Sequence, residues 1–212
     1  MPTITTIRPS HGRKKSIDAA SMDRRKVIIA VAVAVAVVGW LVWRQWFQTY
    51  HLATVRQGVL YRDGVRDGRE FATAIRLVHP RTVVSLVDDD ELRKEPFLTE
   101  ARICRDDGID LVKLPVTLGG WPSSEQVKEF LAIASDPRRQ PVLVHCAQGV
   151  RRTGMMVAAY QESVLDFSRD QAKNAILSFG HGQRTIEDVK KFIDIYDPAT
   201  RDVTEILPVS SE

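Results

Sequence analysis

The chain has 212 residues, of which 44% are hydrophobic and 27% are charged, and these values are ordinary for a globular protein. Its two cysteines, Cys104 and Cys146, exclude a disulfide scaffold and a cysteine-rich zinc site. The net charge is +3, but residues 1–26 carry about +5, which leaves about −2 for the remainder. A basic nucleic-acid-binding domain is therefore not indicated.

A basic tail and an apolar segment come first. Residues 1–26 are polar and basic without periodicity, and we interpret them as a tail that is disordered or lies on a membrane surface. Val27 to Trp43 has no charged or strongly polar side chain, and its extension predicts a transmembrane anchor over residues 27–47. Three tryptophans cluster at one end of this segment, as in an interfacial aromatic belt: Trp40, Trp43 and Trp46.

Two other interpretations of the apolar segment are weaker. A buried strand or core helix rarely runs so long without a polar residue. A cleaved signal peptide would have small residues after its apolar region, whereas here the alanines lie within it and tryptophans follow. The positive-inside rule puts the N-terminus in the cytoplasm and the C-terminal domain on the opposite side of a cell membrane. Oxidising conditions there would threaten a reactive thiolate, so this orientation and a cysteine enzyme are in tension.

Strands and helices alternate through a globular domain predicted over residues 50–198. Apolar, β-branched runs predict strands at 59–62, 82–87, 109–114 and 141–145. Helical spacing and stop signals predict helices at 71–78, 99–107, 123–136 and 152–165, with two more that begin at the caps Ser168 and Thr185. We therefore expect an α/β domain with a small, mostly parallel central sheet flanked by helices. Residues 199–212 are interpreted as a frayed tail.

The strongest chemical pattern is the junction between the strand at 141–145 and the helix at 152–165. Cys146 follows the strand directly, Gly149 lies within the loop, and two arginines open the helix. Backbone N–H groups and the helix dipole at such a junction favour anions, including the thiolate of Cys146. A thiolate, an anion cradle and an arginine six residues later point to covalent attack on phosphate.

Residues 145–154, HCAQGVRRTG, resemble the signature of the cysteine-dependent protein tyrosine and dual-specificity phosphatases. Residues 55–62, VRQGVLYR, which lead to TVVSL, also look like the start of small bacterial members of this superfamily. The resemblance extends over about residues 55–196.

The resemblance implies a role for each residue of the loop. Cys146 would attack phosphorus, and Arg152 would hold two phosphate oxygens bidentately. His145 would fix the loop, and Thr153 would hydrogen-bond the sulfur. Backbone N–H groups would bind the remaining oxygens along the loop residues Ala147, Gln148, Gly149, Val150 and Arg151. The loop supplies the positive field, so no metal or cofactor is implied. Cys104 is interpreted as structural.

One family feature is missing. Dual-specificity phosphatases carry an aspartate general acid on the loop that corresponds to residues 115–123, and this loop has no carboxylate here. Some relatives instead place an aspartate just before the arginine, where this chain has Arg151. Weak candidates for the acid are the carboxylates that follow a predicted strand and one near a helix start: Asp88, Asp89, Asp90 and Glu125. A solvated turn is an equally good interpretation of residues 88–91, and phenolic leaving groups could make the acid dispensable.

Three functions fit the sequence. The favoured one is a membrane-anchored phosphatase acting on a phosphorylated protein or another phosphoester; phosphoinositides are less favoured because the loop has no added lysine. The second is a sulfurtransferase, since residues 146–151 are similar to a rhodanese loop, although Arg152-Thr153-Gly154 favours the phosphatase. The third is a pseudophosphatase that binds phosphorylated partners without turnover, which the missing aspartate motivates.

Overall fold

The structure is a computed structural model, and it describes residues 24–46 and 48–204. Most of the predicted tail 1–26 lies outside the described residues, as do residues 205–212 of the predicted tail 199–212. The chain divides into two units between Arg44 and Gln45, and each unit is described by itself.

The first unit contains one long helix. Helix α1 is Arg24–Trp46, and its stretch Arg24–Trp43 has a mean hydropathy of 2.4. Its apolar side chains are largely exposed. By length and composition this helix could cross a membrane, although a signal sequence would meet the same criterion. An apolar N-terminal helix is therefore confirmed, while the membrane anchor stays a prediction.

The second unit is built on a five-stranded sheet. Its strands are β1 Ala53–Arg56, β2 Leu60–Gly64, β3 Thr82–Ser85, β4 Asp110–Lys113 and β5 Val142–Cys146. They lie in the order β1-β2-β5-β3-β4, and all pairs are parallel except the edge pair β1 and β2. The mostly parallel α/β sheet expected from the sequence is confirmed.

Helices cover both faces of the sheet. They are α2 Gly68–Val78, α3 Asp89–Leu92, α4 Phe97–Asp106, α5 Ser124–Ser135, α6 Arg151–Val164, α7 Arg169–Asn174 and α8 Gln183–Ile195. One core cluster joins α2 and α4 to Val83 and Leu143, and the other joins α5, α6 and α8 to Val84 and Val144. Because alternate residues of a strand point to opposite faces, these two clusters are the two sides of the sheet.

Strand β5 lies at the centre of the sheet, and all five of its residues are buried. It pairs with β2 and β3, and its last residue, Cys146, lies opposite Gly64. In open parallel sheets, ligands bind beyond the carboxyl ends of such central strands. The fold therefore places Cys146 where a ligand site is expected.

The structure differs from the sequence-based expectation at several places. Strand β2 continues through Asp63 and Gly64, beyond the predicted end at residue 62, because its pairing with β5 runs to Cys146. The edge strand β1 was not predicted. A small hairpin of β6 Tyr196–Asp197 and β7 Asp202–Val203 includes residues 199–203 of the predicted tail.

Ser168 caps α7 as expected, and Ser123 caps α5 in the same way, each in a box closed by a glutamine three residues later. The cap expected at Thr185 is wrong, because α8 begins at Gln183 after Gly182 and Thr185 lies within the helix.

Candidate active site

The loop between β5 and α6 wraps around the sulfur of Cys146. The Gly149 N–H donates to Cys146 Sγ at 3.2 Å, and the Cys146 side chain is almost fully buried. Helix α6 begins at Arg151, so the N–H groups of its first turn have no acceptor within the helix. Unpaired N–H donors at a helix start, together with the Gly149 N–H beside the sulfur, favour an anion, and we call residues 146–152 the anion-binding loop.

Gly149 lets this loop pass close to strand β2. Its φ is +67°, and a Cβ built there would lie 2.3 Å from the backbone oxygen of Asp63. Its carbonyl oxygen accepts a hydrogen bond of 2.7 Å from Arg62 Nη2. Burial lowers the pKa of Arg62 to about 10, although the negative charge of Cys146 opposes this shift. The loop is thus held against β2 by a buried, charged donor.

Two further contacts hold the outer side of the loop. The Val65 N–H donates to the carbonyl oxygens of Cys146 and Ala147, at 3.2 and 3.1 Å. His51 Nδ1 donates to the Gln148 carbonyl oxygen at 2.7 Å. These contacts fix three carbonyl groups of the loop, those of Cys146, Ala147 and Gln148.

Arg152 is held by a carboxylate that the sequence did not single out. Its Nη1 and Nη2 donate to the two oxygens of Glu91, at 2.5 and 3.0 Å, and Nη1 also lies 3.3 Å from the oxygen of Leu86 and 3.2 Å from that of Val116. Burial lowers the pKa of Arg152, but the hydrogen bond to Glu91 and the negative charge of Cys146 outweigh it and leave the pKa raised. The guanidinium is therefore fixed and charged.

Arg151 points away from the loop and fixes a neighbouring one. Its Nη1 and Nη2 donate to the carbonyl oxygens of Gly120 and Gly119, at 2.6 and 2.8 Å. Its Nε donates to Asp188 of α8 at 3.0 Å. The Arg151 backbone remains part of the anion-binding loop, while its side chain ties residues 119–120 to α8.

A pocket of about 260 Å³ opens above Cys146. Its walls come from the anion-binding loop, the loop before α5 and helix α3: Glu91, Leu118, Gly119, Cys146, Ala147, Gln148, Arg151 and Arg152. Among these lining residues Glu91 carries the carboxylate, and Leu118 is 71% exposed. The described residues contain no group of three or more His, Cys, Asp or Glu that could hold a metal ion.

The candidate acids fall outside this pocket. Asp88 caps α3 by accepting from the Glu91 N–H, and its other oxygen accepts from the Leu118 N–H. The Glu91 N–H bond is the main reason that the pKa of Asp88 is lowered. Asp89, Asp90 and Glu125 are exposed and do not line the pocket. A capping carboxylate with a lowered pKa is a poor proton donor near neutral pH.

His145 and Thr153 flank the loop from the interior. His145 Nε2 lies 3.0 Å from Glu100 Oε1, and both side chains are fully buried. The Thr153 hydroxyl is buried and has no hydrogen-bond partner among residues 24–46 and 48–204. The hydrogen bond expected from Thr153 to the sulfur is therefore not formed, and the Gly149 N–H occupies that position.

Four supporting residues lie far from the motif in sequence and were not predicted to belong to the site: His51, Arg62, Glu91 and Glu100. Glu91 is the last of four consecutive acidic residues, and the other three were considered as general acids. The three-residue spacing from Asp88 to Glu91, which is typical of a capping box, was the one sequence signal that could have predicted a helix start at this place. Arg62 lies in the stretch VRQGVLYR that carries part of the family resemblance. No feature of the sequence marks His51 or Glu100.

Residues 78–193, more than half of the chain, match the family model described as "DSP-PTPase phosphatase fused to NAD+ Kinase". The chain is 32% identical over 109 residues to a probable NAD kinase 2, chloroplastic, of Oryza sativa subsp. japonica, covering 51% of this chain and 11% of that protein. It is 28% identical over 123 residues to the dual specificity protein phosphatase TpbA of Pseudomonas aeruginosa. That match covers 58% of this chain and 52% of TpbA, so the chain spans about half of one relative and a tenth of the other.

Solved structures share the fold. The catalytic domain of the PP-IP phosphatase SIW14 from S. cerevisiae, in complex with citrate, superposes with a TM-score of 0.58 at 20% identity and covers 70% of this chain and 87% of that one. TpbA of P. aeruginosa in complex with pTyr gives a TM-score of 0.55 at 21% identity, with 74% and 93% covered. These identities support the shared architecture and leave the substrate open.

Proposed function

Because the chain belongs to the family of DSP-PTPase phosphatases fused to NAD+ kinase, we propose that it hydrolyses phosphomonoesters through a phosphocysteine on Cys146. One observation carries the proposal. The Cys146 sulfur lies at the base of a pocket, within a loop of backbone donors that closes on it through Gly149 and opens onto Arg152. The proposed nucleophile, Cys146, and the proposed phosphate-binding side chain, Arg152, thus line the same cavity of about 260 Å³.

The reaction proceeds in two steps at phosphorus. In the first, the Cys146 thiolate forms an S–P bond while the P–O ester bond breaks, and the leaving oxygen takes a proton as it departs. In the second, water attacks phosphorus, the S–P bond breaks and inorganic phosphate leaves with the thiolate restored. No electron is gained or lost, and the net co-reactant is one water molecule.

Arg152 and the loop share the binding of the phosphate oxygens. Glu91 takes the Nη1–Nη2 end of the guanidinium, so the edge formed by Nε–H and the second Nη2–H is the one that meets two phosphate oxygens. Backbone N–H groups of residues 147–152 bind the other oxygens and stabilise the charge of the transition state. Lysine could not reproduce the fork of Arg152.

The substrate we propose is an aryl phosphate, as in phosphotyrosine. The loop 115–123 has no carboxylate, and Asp88 is an ionised cap, so proton donation to the leaving oxygen is weak. A phenol leaves more easily than an aliphatic alcohol and depends less on that proton. The exposed side chain of Leu118 at the pocket wall offers apolar contact to a ring.

Steady-state hydrolysis tests this proposal. The full chain should hydrolyse p-nitrophenyl phosphate and a phosphotyrosine peptide, should act at least about 100-fold more slowly on a phosphoserine peptide, and should lose activity on Cys146→Ser. Cys104→Ser is the matched control, because Cys104 is a buried residue of α4 and does not line the pocket. Activity that survives Cys146→Ser would refute the phosphocysteine.

Two further measurements, compared with phosphate release, separate the phosphatase from the other two functions. Thiosulfate-to-cyanide sulfur transfer that requires Cys146, without phosphate release, would identify a sulfurtransferase. Phosphopeptide binding that requires Arg152, without phosphate release, would identify a pseudophosphatase. The residues at 152–154, Arg-Thr-Gly, support the phosphatase over the sulfurtransferase.

Helix α1 supports a membrane anchor, which is also proposed here. Its apolar stretch is about as long as a bilayer is thick, and the basic residues before it favour a cytoplasmic N-terminus. The intact chain should sediment with membranes and resist alkaline extraction. A reporter fused after Glu212 should be active on the side opposite the cytoplasm, and cytoplasmic activity would reverse the orientation. Release of a mature chain cleaved after α1 would identify a signal sequence instead.

A further inference from the structure

Arg62 of β2 contacts the anion-binding loop from the face of the sheet that also carries Cys146. It pairs with Val144 of β5, and directly paired residues share a face, as do alternate residues of one strand. A Cβ built at Gly154 would lie 3.8 Å from Arg62 Nη2, so the guanidinium extends between the sheet and the first turns of α6. Arg62 is only 2% exposed, and this position is therefore cut off from water.

One residue of the loop joins the Arg62 guanidinium to the Cys146 sulfur. The Gly149 N–H donates to Cys146 Sγ at 3.2 Å, and the Gly149 carbonyl oxygen accepts from Arg62 Nη2 at 2.7 Å. The Gly149–Val150 peptide is trans, so its N–H end, on Val150, points away from Arg62. Gly149 thus lies between the arginine and the place where an anion would bind.

The charge of Arg62 has no carboxylate partner in the described part of the chain. Its neighbour Asp63 points to the opposite face of the sheet, and its Nε finds no hydrogen-bond partner among the described residues. The Phe179 ring centroid lies 5.5 Å from the guanidinium carbon, which gives a cation–π contact. Burial lowers the pKa of Arg62 to about 10, so the group is still charged at neutral pH.

The three arginines of the site differ in how their charges are balanced. Arg151 is paired with Asp188, and Arg152 is paired with Glu91. Arg62 is the one of the three without such a partner, and a buried charge of this kind costs folding free energy that an uncharged side chain would avoid. An anion in the loop would balance this charge, and the exclusion of water would strengthen the attraction.

We infer that Arg62 is a positioning residue of the phosphate site: it fixes the Gly149 carbonyl of the anion-binding loop, and its charge, which no carboxylate balances, attracts the phosphate held there. The inference deepens the proposed function and rests on it. Arg62 does not line the pocket, so it acts through Gly149. Because it uses one N–H, a charge and a single donor suffice at this position, in contrast to the fork required of Arg152.

Thermal unfolding at increasing concentrations of inorganic phosphate measures this effect without turnover. Full-length Cys146→Ser is the parent chain, because serine removes both the nucleophile and the thiolate charge. Chloride keeps the ionic strength constant, so that screening is the same in every sample. The rise in unfolding temperature with phosphate concentration gives the Kd, and the sample without phosphate gives the stability of the free chain.

Two substitutions in this parent separate the charge from the hydrogen bond. Arg62→Gln keeps an amide donor for the Gly149 carbonyl but removes the charge, so the Kd for phosphate should rise about tenfold. Arg62→Lys keeps the charge and one donor, so its Kd should stay within about threefold of the parent. An unchanged Kd in Arg62→Gln, or a loss in Arg62→Lys as large as that in Arg62→Gln, would overturn the inference.

The stability of the free chain distinguishes this role from a structural one. Without phosphate, Arg62→Gln should unfold at the same temperature as the parent or higher, because the charge without a carboxylate partner is removed and a donor is kept. If Arg62→Gln unfolds at a lower temperature with an unchanged Kd, or fails to fold while Arg62→Lys folds, Arg62 serves the fold and the inference is overturned.

Arg66→Gln is the matched control for the loss of one positive charge. Arg66 is exposed, is paired with Glu70 and lies over the Tyr50 ring, 4.7 Å from its centroid. The Kd for phosphate should stay within about twofold of the parent, because exposed, paired charges contribute little. A rise equal to that of Arg62→Gln would make the effect one of net charge and would overturn the inference.

Hydrolysis of p-nitrophenyl phosphate by wild type separates the failure of this inference from that of the proposed function. Phosphate binding that depends on Arg62, without hydrolysis, would refute the proposed function and support the role of Arg62. Hydrolysis together with phosphate binding that is independent of Arg62 would do the reverse. A parent chain that phosphate does not stabilise at all would overturn the inference.

Discussion

Gly149 is the residue on which the geometry of the anion-binding loop depends most. Its left-handed backbone and the 2.3 Å approach of a Cβ to the Asp63 oxygen both exclude a side chain. Gly149→Ala should lower the free energy of unfolding by at least about 2 kcal/mol, through overpacking and strained φ. It should also reduce kcat/KM about 100-fold or more, because small displacements of reacting groups are costly. Thermal unfolding and p-nitrophenyl phosphate hydrolysis measure the two effects.

Gly58 provides the matched control for that substitution. It lies in the turn before β2 with a φ of +73°, but a Cβ there would meet nothing within 4 Å. Gly58→Ala should therefore cost about 1 kcal/mol from backbone strain alone and leave activity unchanged. If both alanine variants lose activity equally, close packing of the loop against β2 is not what Gly149 provides.

Glu91 should be needed for phosphate binding although it is negatively charged. It accepts from both terminal nitrogens of Arg152, which a glutamine amide cannot do, because the amide has one acceptor oxygen. Glu91→Gln should weaken competitive inhibition by inorganic phosphate about tenfold, equivalent to about 1.4 kcal/mol. Glu125→Gln, at an exposed position outside the pocket, should have no effect. Tighter phosphate binding by Glu91→Gln would mean that Glu91 competes for the fork instead of positioning it.

At the residue scale, what could be predicted from the sequence depended on distance along the chain. The nucleophile, the turn glycine and the phosphate-binding arginine lie within seven consecutive residues, so their spacing carries the chemistry. The partners of Gly149, Arg152 and His145 come from three other segments, and tertiary packing brings them there: Arg62, Glu91 and Glu100. A single sequence contains no signal for such pairings. The sequence showed the four acidic residues 88–91, but it did not show that Asp88 caps α3 while Glu91 lines the pocket.

At the element scale, Arg151 makes the loop before α5 part of the pocket. Three of its nitrogens bind Gly119, Gly120 and Asp188, and lysine could not reproduce this arrangement. Arg151→Lys should accelerate amide hydrogen exchange of Gly120 about tenfold, and it should lower kcat/KM several-fold while Cys146 alkylation stays the same.

Arg138 is the control position for the Arg151→Lys substitution. Its guanidinium is 90% exposed and pairs with Asp136, two residues earlier in the chain. Arg138→Lys should leave both Gly120 exchange and kcat/KM unchanged. If Arg151→Lys also leaves Gly120 exchange unchanged, other contacts fix the loop, such as the bond from Leu118 to Asp88.

Elements with strong local signals were predicted well from the sequence. Helix α5 and the start of α7 carry serine–glutamine capping boxes, and the strands β3 and β5 are buried apolar runs. Strand β1 has four residues, alternates in exposure and includes a register shift against β2. Such a short, half-exposed edge strand is defined by its partner more than by its own composition, which explains why it was not predicted.

At the scale of the whole molecule, the buried Asp63 makes stability depend on pH. Burial raises its pKa from 3.8 to about 8, and the negative charge of Glu70 adds to the shift. Between pH 4 and 8 the unfolded chain releases this proton while the folded chain keeps it, so folding stability falls as pH rises, by at most about 1.4 kcal/mol per unit. Asp63→Asn does not titrate, so its stability relative to wild type should increase across this window and level off above pH 8.

Urea unfolding at several pH values measures that difference, and Asp136→Asn is the control. A side-chain hydrogen bond from Arg138 lowers the pKa of Asp136, so its contribution to stability is lost as pH falls below about 4. The two asparagine variants should thus diverge from wild type in different pH windows. A constant difference between wild type and Asp63→Asn from pH 4 to 8 would show that Asp63 is ionised throughout.

The proposed reaction forms one bond that can be detected directly, between the Cys146 sulfur and phosphorus. Wild type mixed with p-nitrophenyl phosphate is quenched in acid within the first turnover, and its peptides are analysed by mass spectrometry. We expect a phosphate on the peptide that contains Cys146, in wild type and in Cys104→Ser, and none in Cys146→Ser. Turnover accompanied by a phosphate on another residue, or turnover that persists in Cys146→Ser, would contradict it.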